Sequence, residues 1–133
     1  METHLIKISF TELRQNKFPS FSDSDRILSS GLELYRKALL DNPYSDERST
    51  ACIVAVVDNL IVGHYFMFNT KLKAGDEIVK TKTGGGLLVS RKGRGIGIRV
   101  IKLSRDLDDF ELYYFALFSR VAYDIIRKKE TML

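Results

Sequence analysis

Apolar and β-branched runs along the chain predict five β-strands. Ala51–Val57 is a continuous run of this kind, which is typical of a strand that is buried on both faces. Asp58-Asn59 is a turn signal, so Leu60–Phe68 is expected to return antiparallel to it. The other strands are predicted at Leu5–Phe10, within Glu77–Ser90 and at Leu112–Phe118.

Apolar residues at helical spacing predict three helices. The stripes are Leu28, Leu32, Tyr35 and Leu39 in the first, Ile96, Val100, Leu103 and Leu107 in the second, and Val121, Ala122, Ile125 and Ile126 in the third. The first helix follows a predicted loop at 16–23 and a Ser22-x-x-Asp25 start signal. The order β-α-β-β-β-α-β-α indicates an α/β or α+β protein with a mixed sheet.

Length and composition limit the class of protein. A chain of 133 residues, 44% hydrophobic and 29% charged, is expected to form one globular domain over 1–133. Its apolar runs are shorter than the roughly 20 residues of a membrane helix, and Met1–His4 shows no secretory signal. Cys52 alone excludes an internal disulfide, and two distant histidines give no metal spacing. We therefore expect a cytoplasmic protein without a metal.

Positive charge is concentrated between residues 71 and 105. The ten basic residues are Lys71, Lys73, Lys80, Lys82, Arg91, Lys92, Arg94, Arg99, Lys102 and Arg105. Only Asp76 and Glu77 oppose them, so this segment carries +8 in a chain of net charge +4. It is either a solvated basic face or a surface for an anionic partner. The segment contains no aromatic residue, which argues against nucleic acid.

A basic, glycine-rich junction follows the predicted strand at 77–90. Gly84-Gly85-Gly86 inside the strand suggests a bulge or the close approach of a ligand. Downstream, Leu87–Ile98 reads as a strand, a turn with Gly93, Gly95 and Gly97, and a helix start. Unobstructed amides at a helix start suit phosphate. The spacing fits neither the dinucleotide fingerprint nor a P-loop.

The sequence from about residue 50 to 130 resembles the GCN5-related N-acetyltransferase family. Lys92-Gly93-Arg94-Gly95-Ile96-Gly97 is similar to that family's Gln/Arg-x-x-Gly-x-Gly/Ala diphosphate loop, with Lys92 in the Gln/Arg position. The hairpin of Ala51–Val57 and Leu60–Gly63 resembles its second and third strands. Ser119–Ala122 and Ile125–Lys128 resemble its last conserved helix. The resemblance implies transfer of an acetyl group from acetyl-CoA directly to an amine, with no metal.

The same resemblance implies which residues bind the cofactor. Leu87, Leu88 and Val89 would pair through their backbone with the pantetheine arm, in a gap between two splayed strands. The diphosphate would be held at Lys92, Gly93, Arg94, Gly95, Ile96, Gly97 and Ile98, mainly by main-chain N–H groups. One N–H of the strand would face the thioester oxygen.

Catalytic side chains are less clear, because this sequence departs from the family. Ile126 stands where the family has a tyrosine general acid, and Tyr123, one helical turn earlier, is the alternative. Glu77 is the best candidate base by topology. His64 is a further candidate, but such a histidine more often packs and bonds locally, and Cys52 reads as a core residue.

The family usually continues with two C-terminal strands that this sequence lacks. The strand at 112–118 would then have an open edge, which either a homodimer covers or a minimal member of the family leaves exposed. The missing tyrosine and strands also leave a second interpretation open. It is a non-catalytic module that keeps the fold and uses residues 71–105 for an anionic partner.

Overall fold

The computed structural model describes residues 3–21, 26–90, 95–107 and 112–115. The elements are β1 His4–Ser9, α1 Phe10–Arg14, β2 Ser20–Phe21, α2 Arg26–Leu40, β3 Thr50–Val57, β4 Leu60–Ala74, β5 Glu77–Val89, α3 Gly97–Arg105 and β6 Leu112–Phe115. The expected final helix at 121–129 lies outside the described residues, as do Ser22 and Asp25 of the predicted helix start.

The strands form one mixed sheet in the order β1-β3-β4-β5-β6. Neighbours along this path are antiparallel except β5 and β6, which run parallel, and β2 pairs parallel with the start of β4. The predicted mixed sheet is confirmed. Among the described strands β6 lies at the edge, so a second copy covering it stays a prediction.

Helices cover both faces of the sheet. On one face α1 and α2 pack on the sheet, and on the other α3 does. The first cluster includes Phe10, Leu13, Leu32, Leu39, Val54 and Phe66, and the second includes Ile53, Ala55, Tyr65, Met67, Ile96 and Val100. β3 is buried along both faces from Ala51 to Val57, as its continuous apolar run predicts. The turn at Asp58-Asn59 is also confirmed, since both residues have positive φ, 51° and 63°.

The prediction that the first strand runs through Phe10 is wrong, because a short helix begins there. Ser9 Oγ accepts a hydrogen bond from the Glu12 N–H at 3.1 Å, and the Ser9 N–H donates to Glu12 Oε1 at 3.1 Å. This reciprocal capping box turns the chain out of the sheet. The loop predicted at 16–23 also contains the two-residue strand β2.

The hairpin of β4 and β5 is longer than the hydrophobic pattern predicts. β4 continues past Phe68 to Ala74, and the register runs from Asn69 opposite Lys82 to Ala74 opposite Glu77. These positions are mostly polar, so backbone pairing rather than burial extends the strands. Gly75, with φ 65°, lies in the turn at the tip.

The capping box predicts the effect of a conservative change. Ser9→Ala should lower the free energy of unfolding by about 1 kcal/mol, because the Glu12 N–H loses its acceptor. Urea unfolding measures the difference, and Ser9→Thr is the control that keeps a hydroxyl. Equal stability of the alanine variant and the parent would contradict a stabilising cap.

Candidate functional site

The three glycines of β5 lie at a bulge, which is one of the two alternatives that the sequence left open. Phe66 pairs with Gly85 and His64 with Leu88, so Tyr65 alone stands opposite two residues, Gly86 and Leu87. Gly86 has φ +67°, and a Cβ there would come within 2.7 Å of the Phe66 ring. Only glycine fits this position without strain.

The bulge begins where β5 ends its described pairing with β6. The parallel register runs from Thr81 opposite Leu112 to Gly84 opposite Phe115. From Gly85 to Val89, β5 pairs on its β4 side, and within the described residues nothing pairs with its other edge. In this described part of the chain, Leu87, Leu88 and Val89 therefore line a strand edge that has no paired neighbour.

α3 begins close to this edge. Ile96 is buried as an anchor, and a Cβ on Gly97 would come no nearer than 4.0 Å to Leu87 Cδ2. Gly95 has φ +88°, and a Cβ there would meet nothing within 4 Å. The predicted residues Lys92, Gly93 and Arg94 lie outside the described residues.

The start of α3 suits an anion. No side-chain hydrogen bond caps the helix. Its first described backbone hydrogen bond is donated by the Val100 N–H to Ile96 O at 3.0 Å. The amides of Gly97, Ile98 and Arg99 come before this bond, where helix N–H groups point out of the helix end. With the open space at Gly95, they fit the diphosphate expected from the sequence.

His64 supports the bulge from the face covered by α2. Its Nδ1 lies 2.9 Å from Gly86 O, and because a carbonyl only accepts, Nδ1 carries the hydrogen. The ring also packs on Phe66, with centroids 4.6 Å apart. His64 is buried, and its Nε2 would lie 2.8 Å from a Cβ on Gly31 of α2. The structure thus shows His64 packed and hydrogen-bonded locally, which is one of the two roles that the sequence left open.

Tyr65 projects to the opposite face, the one covered by α3. It is buried at 4% exposure beside Met67 and Val100. A Cβ on Gly84 would overlap the Tyr65 phenol, so the hydroxyl lies over Gly84, the last β5 residue with a described partner in β6. Sequence reasoning missed this side chain. The one sequence signal for this contact was Gly84 itself, a glycine inside a strand at a position where no turn requires one.

Of the two catalytic candidates from sequence, only Glu77 lies within the described residues. Glu77 is the exposed first residue of β5, seven positions before Gly84, which is about 23 Å along a strand. The structure therefore does not bring this carboxylate to the glycines. Tyr123 lies outside the described residues.

The described basic residues of the segment 71–105 do not form one continuous face. Lys71, Lys73 and Lys80 are exposed on the hairpin near one end of β5, whereas Arg99 and Lys102 are exposed on α3, after its other end. Lys82 between them is fully buried. The charge therefore serves at least two places, and only the α3 part adjoins the glycine-rich junction.

Cys52 is excluded as a nucleophile by its surroundings. Burial, and secondarily the Glu12 carboxylate, raise the pKa of its thiol from 9.0 to about 12.

Within the described ranges, no group of three or more His, Cys, Asp and Glu side chains could hold a metal ion. None of the described helices is long and apolar enough to cross a membrane.

Solved structures share this fold. A ribosomal-protein-alanine N-acetyltransferase from Brucella melitensis biovar Abortus 2308 superposes with a TM-score of 0.55 at 15% identity, covering 98% of this chain and 90% of that one. An aminoglycoside acetyltransferase from an uncultured soil metagenomic sample, in complex with sisomicin, gives 0.56 at 14% identity, covering 96% and 87%. The glucosamine-6-phosphate N-acetyltransferase from Arabidopsis thaliana gives 0.53 at 14% identity, covering 97% and 90%.

The chain has the fold of the GCN5-related N-acetyltransferases. No protein-family model and no curated protein matches the sequence. The likeness is therefore one of structure, and at these identities it establishes the fold alone.

The contact between Gly31 and His64 predicts non-additive stability. Gly31→Ala should destabilise the protein, because the new Cβ would lie 2.8 Å from His64 Nε2 and the imidazole is fixed by its hydrogen bond to Gly86 O. This contact outweighs the helix preference of alanine over glycine, which is about 1 kcal/mol. In a His64→Ala background the same change should stabilise. Thermal unfolding of the four proteins measures the cycle. Stabilisation by Gly31→Ala in both backgrounds would contradict it.

The environment of Cys52 predicts that its thiol is inert in the folded protein. Ellman's reagent at mildly alkaline pH should detect no thiol until denaturant is added, because the thiolate is the reactive form. Stoichiometric labelling of the native protein would contradict the burial. An inert Cys52 also means that the reagent can report thiol released from a substrate.

Proposed function

We propose that the protein is an N-acetyltransferase that moves an acetyl group from acetyl-CoA to an amine. One observation carries this proposal: beyond Gly84 no described residue pairs with the outer edge of β5, and this edge lies close to the uncapped, glycine-containing start of α3. An anion anchor and a strand edge in line suit a ligand with a diphosphate at one end and an amide-bearing arm. Coenzyme A has this form.

In the proposed complex, the chain binds its co-substrate mainly through the backbone. Gly95, Ile96, Gly97 and Ile98 hold the diphosphate with main-chain amides, joined by Lys92, Gly93 and Arg94 as the sequence predicts. Leu87, Leu88 and Val89 pair with the amides of the pantetheine arm. The thioester then lies near Gly84 and Gly85, where a strand N–H can stabilise charge that develops on its oxygen.

The acceptor amine approaches from the face covered by α2, because the arm reaches the gap from the α3 side. Thr83 lies on that face of β5, beside the bulge, and among the described residues its buried Oγ1 has no hydrogen-bond partner. The neutral amine attacks the carbonyl carbon, the C–S bond breaks, and the amine proton passes to solvent. Glu77 takes no part in this proposal, whereas Tyr123 stays a candidate acid.

The names of the similar structures indicate which acceptors to try first. They mention an alanine of a ribosomal protein, aminoglycosides and glucosamine 6-phosphate. All three offer a primary amine. An acceptor panel of an alanine-initiated peptide, sisomicin and glucosamine 6-phosphate therefore spans a peptide, a polycation and an anionic sugar.

A second function is a module that binds coenzyme A without transfer. Ile126 in the position of the family's tyrosine favours it, since isoleucine cannot donate a proton. Such a module would bind coenzyme A and release no thiol with any acceptor. The division of the basic residues between hairpin and α3 does not favour a single polyanion site.

The diphosphate anchor is tested at Gly95. Gly95→Val should weaken acetyl-CoA binding by about tenfold or more, because a β-branched residue disfavours φ +88° and distorts the amides. Isothermal titration calorimetry measures the dissociation constant. Gly75→Val is a matched control, since Gly75 also has positive φ and an open Cβ position but lies at the hairpin tip. Equal affinity of both variants and the parent would refute the anchor.

A further inference from the structure

We propose that a polar cavity between the loop 41–49 and the β4–β5 hairpin binds a phosphate group. The part of the hairpin that forms the cavity is the hairpin extension, residues 69–82, where β4 and β5 continue beyond the apolar pattern. Leu87, beside which α3 begins, is seven positions after Lys80, about 23 Å along β5. The site is therefore separate from the start of α3, and it does not depend on the proposed acetyl transfer.

The cavity has a volume of about 50 Å³. One water needs roughly 10–15 Å³, so the cavity has room for a small polyatomic ion. The loop contributes Tyr44, Asp46 and Ser49 to its wall, and the hairpin extension contributes Lys71, Lys80 and Thr81. Ser49 and Thr81 are buried at 4% and 2% exposure, whereas both lysines and Tyr44 are exposed. Buried polar groups thus line the inside, and cationic groups lie at the opening.

Hydrogen bonds fix the loop against the hairpin extension. Asn69 O accepts from Asn42 Nδ2 at 2.7 Å, and Asn69 Nδ2 donates to Ser49 Oγ at 2.8 Å. Ser49 Oγ donates in turn to Asp46 O at 3.0 Å. The wall is therefore already ordered, which lowers the entropy cost of binding a ligand.

The register of the hairpin extension places two like charges together. Lys71 lies directly opposite Lys80, and residues in this relation share a face of the sheet with Cβ atoms about 5 Å apart. Like charges directly opposite each other destabilise a strand pair. An anion bound between the two ammonium groups replaces this repulsion with attraction.

Lys71 is turned toward the loop. Its Nζ lies 5.8 Å from the centroid of the Tyr44 ring, within the range of a cation–π contact. The Tyr44 N–H donates to Asn42 Oδ1 at 3.0 Å, so this ring belongs to the ordered wall. The ammonium group is thus held on the side of the cavity.

The neighbouring carboxylates do not balance the two lysines. Asp46 also lines the cavity, but its Oδ1 accepts a backbone N–H of its own loop at 3.1 Å. Glu47 forms an ion pair with Arg14 at 3.1 Å. The acidic residues 76–77 lie three or more positions before Lys80, about 10 Å or more along the hairpin. Two lysines against one carboxylate give the cavity a net positive charge.

A phosphate group suits this arrangement better than a carboxylate does. A phosphomonoester carries about −1.5 to −2 charges near pH 7 and three acceptor oxygens, so it can meet both ammonium groups at once. A carboxylate has one charge and offsets one lysine. Lysine binds phosphate as a point charge, without the planar geometry of arginine. The phosphate is either the free ion or a monoester on a larger molecule.

The test measures binding of inorganic phosphate and of glycerol 3-phosphate by isothermal titration calorimetry in about 0.15 M sodium chloride, where distant surface charges are screened. Lys71→Gln and Lys80→Gln should each weaken binding about tenfold or more, because each removes a charged hydrogen-bond donor. Lys73→Gln is the matched control. Lys73 is exposed on the same face of β4, two positions after Lys71, but does not line the cavity. Its loss removes the same charge and should change the affinity less than about threefold.

Nuclear magnetic resonance of the ¹⁵N-labelled protein locates the ion. Inorganic phosphate should shift the amides of residues 44–49, 69–71 and 80–81, both in the parent and in Gly95→Val, which alters the other candidate anion site. Shifts confined to residues 95–99 would place the ion at α3, overturn the cavity site and leave the diphosphate anchor standing.

Thermal unfolding tests the like-charge pair independently. In sodium chloride alone, Lys80→Gln should unfold at a higher temperature than the parent, because the repulsion from Lys71 is gone. Phosphate at the same ionic strength should raise the unfolding temperature of the parent more than that of the variant. Equal increases in both proteins would contradict binding between the lysines.

The remaining outcomes decide between the cavity and a merely solvated face. Equal affinity of the parent and both cavity variants, or no binding of either probe, would overturn the proposal. An equal loss in Lys73→Gln would overturn it too, because the lysines would then only keep the strand edges from pairing with other chains. Losses in Lys71→Gln and Lys80→Gln alone support the site. If glycerol 3-phosphate also binds more tightly than inorganic phosphate, the phosphate group arrives on a larger molecule.

Discussion

The glycine bulge of β5 is the feature on which the candidate site depends. Opposite one residue of β4 it places two of β5, and Gly86 accepts the positive φ that this geometry needs. The carbonyl of Gly86 is held by the His64 imidazole, and its Cα lies against Phe66 and Tyr35. Core side chains therefore pack against the bulge and fix its position in the sheet.

This break has a different consequence on each face of the sheet. On the α2 face, Thr83 and Gly86 lie beside the aromatic rings of Tyr35 and Phe66. On the α3 face it leaves Gly84 beneath the phenol of Tyr65. A ligand lying between β5 and β6 would meet a different set of groups on either side, which is what a transfer reaction with an entering and a leaving group requires.

Charge has a smaller role than the composition suggests. The +8 of residues 71–105 looks like a single polyanion-binding segment in the sequence. Among the described residues, the long hairpin separates Lys71, Lys73 and Lys80 from the basic residues of α3, and Lys82 is buried in the core. In the described part of the chain, main-chain amides at the start of α3 and along the outer edge of β5 lie close to each other.

The sequence alone determined the order of the main described elements, the β3–β4 hairpin and the start of α3 after the glycines, because each depends on local patterns of apolar residues, turns and glycines. The hydrophobic pattern missed α1, because a capping box starts that helix. It also missed the extension of β4, because backbone pairing rather than burial continues the strand. The sequence named Glu77 as a candidate base by topology, and this residue is the first of β5, about 23 Å along the strand from Gly84. Tyr65 emerged only from the tertiary structure, because the meeting of a phenol with Gly84 depends on strand register and facing, which no short stretch of sequence encodes.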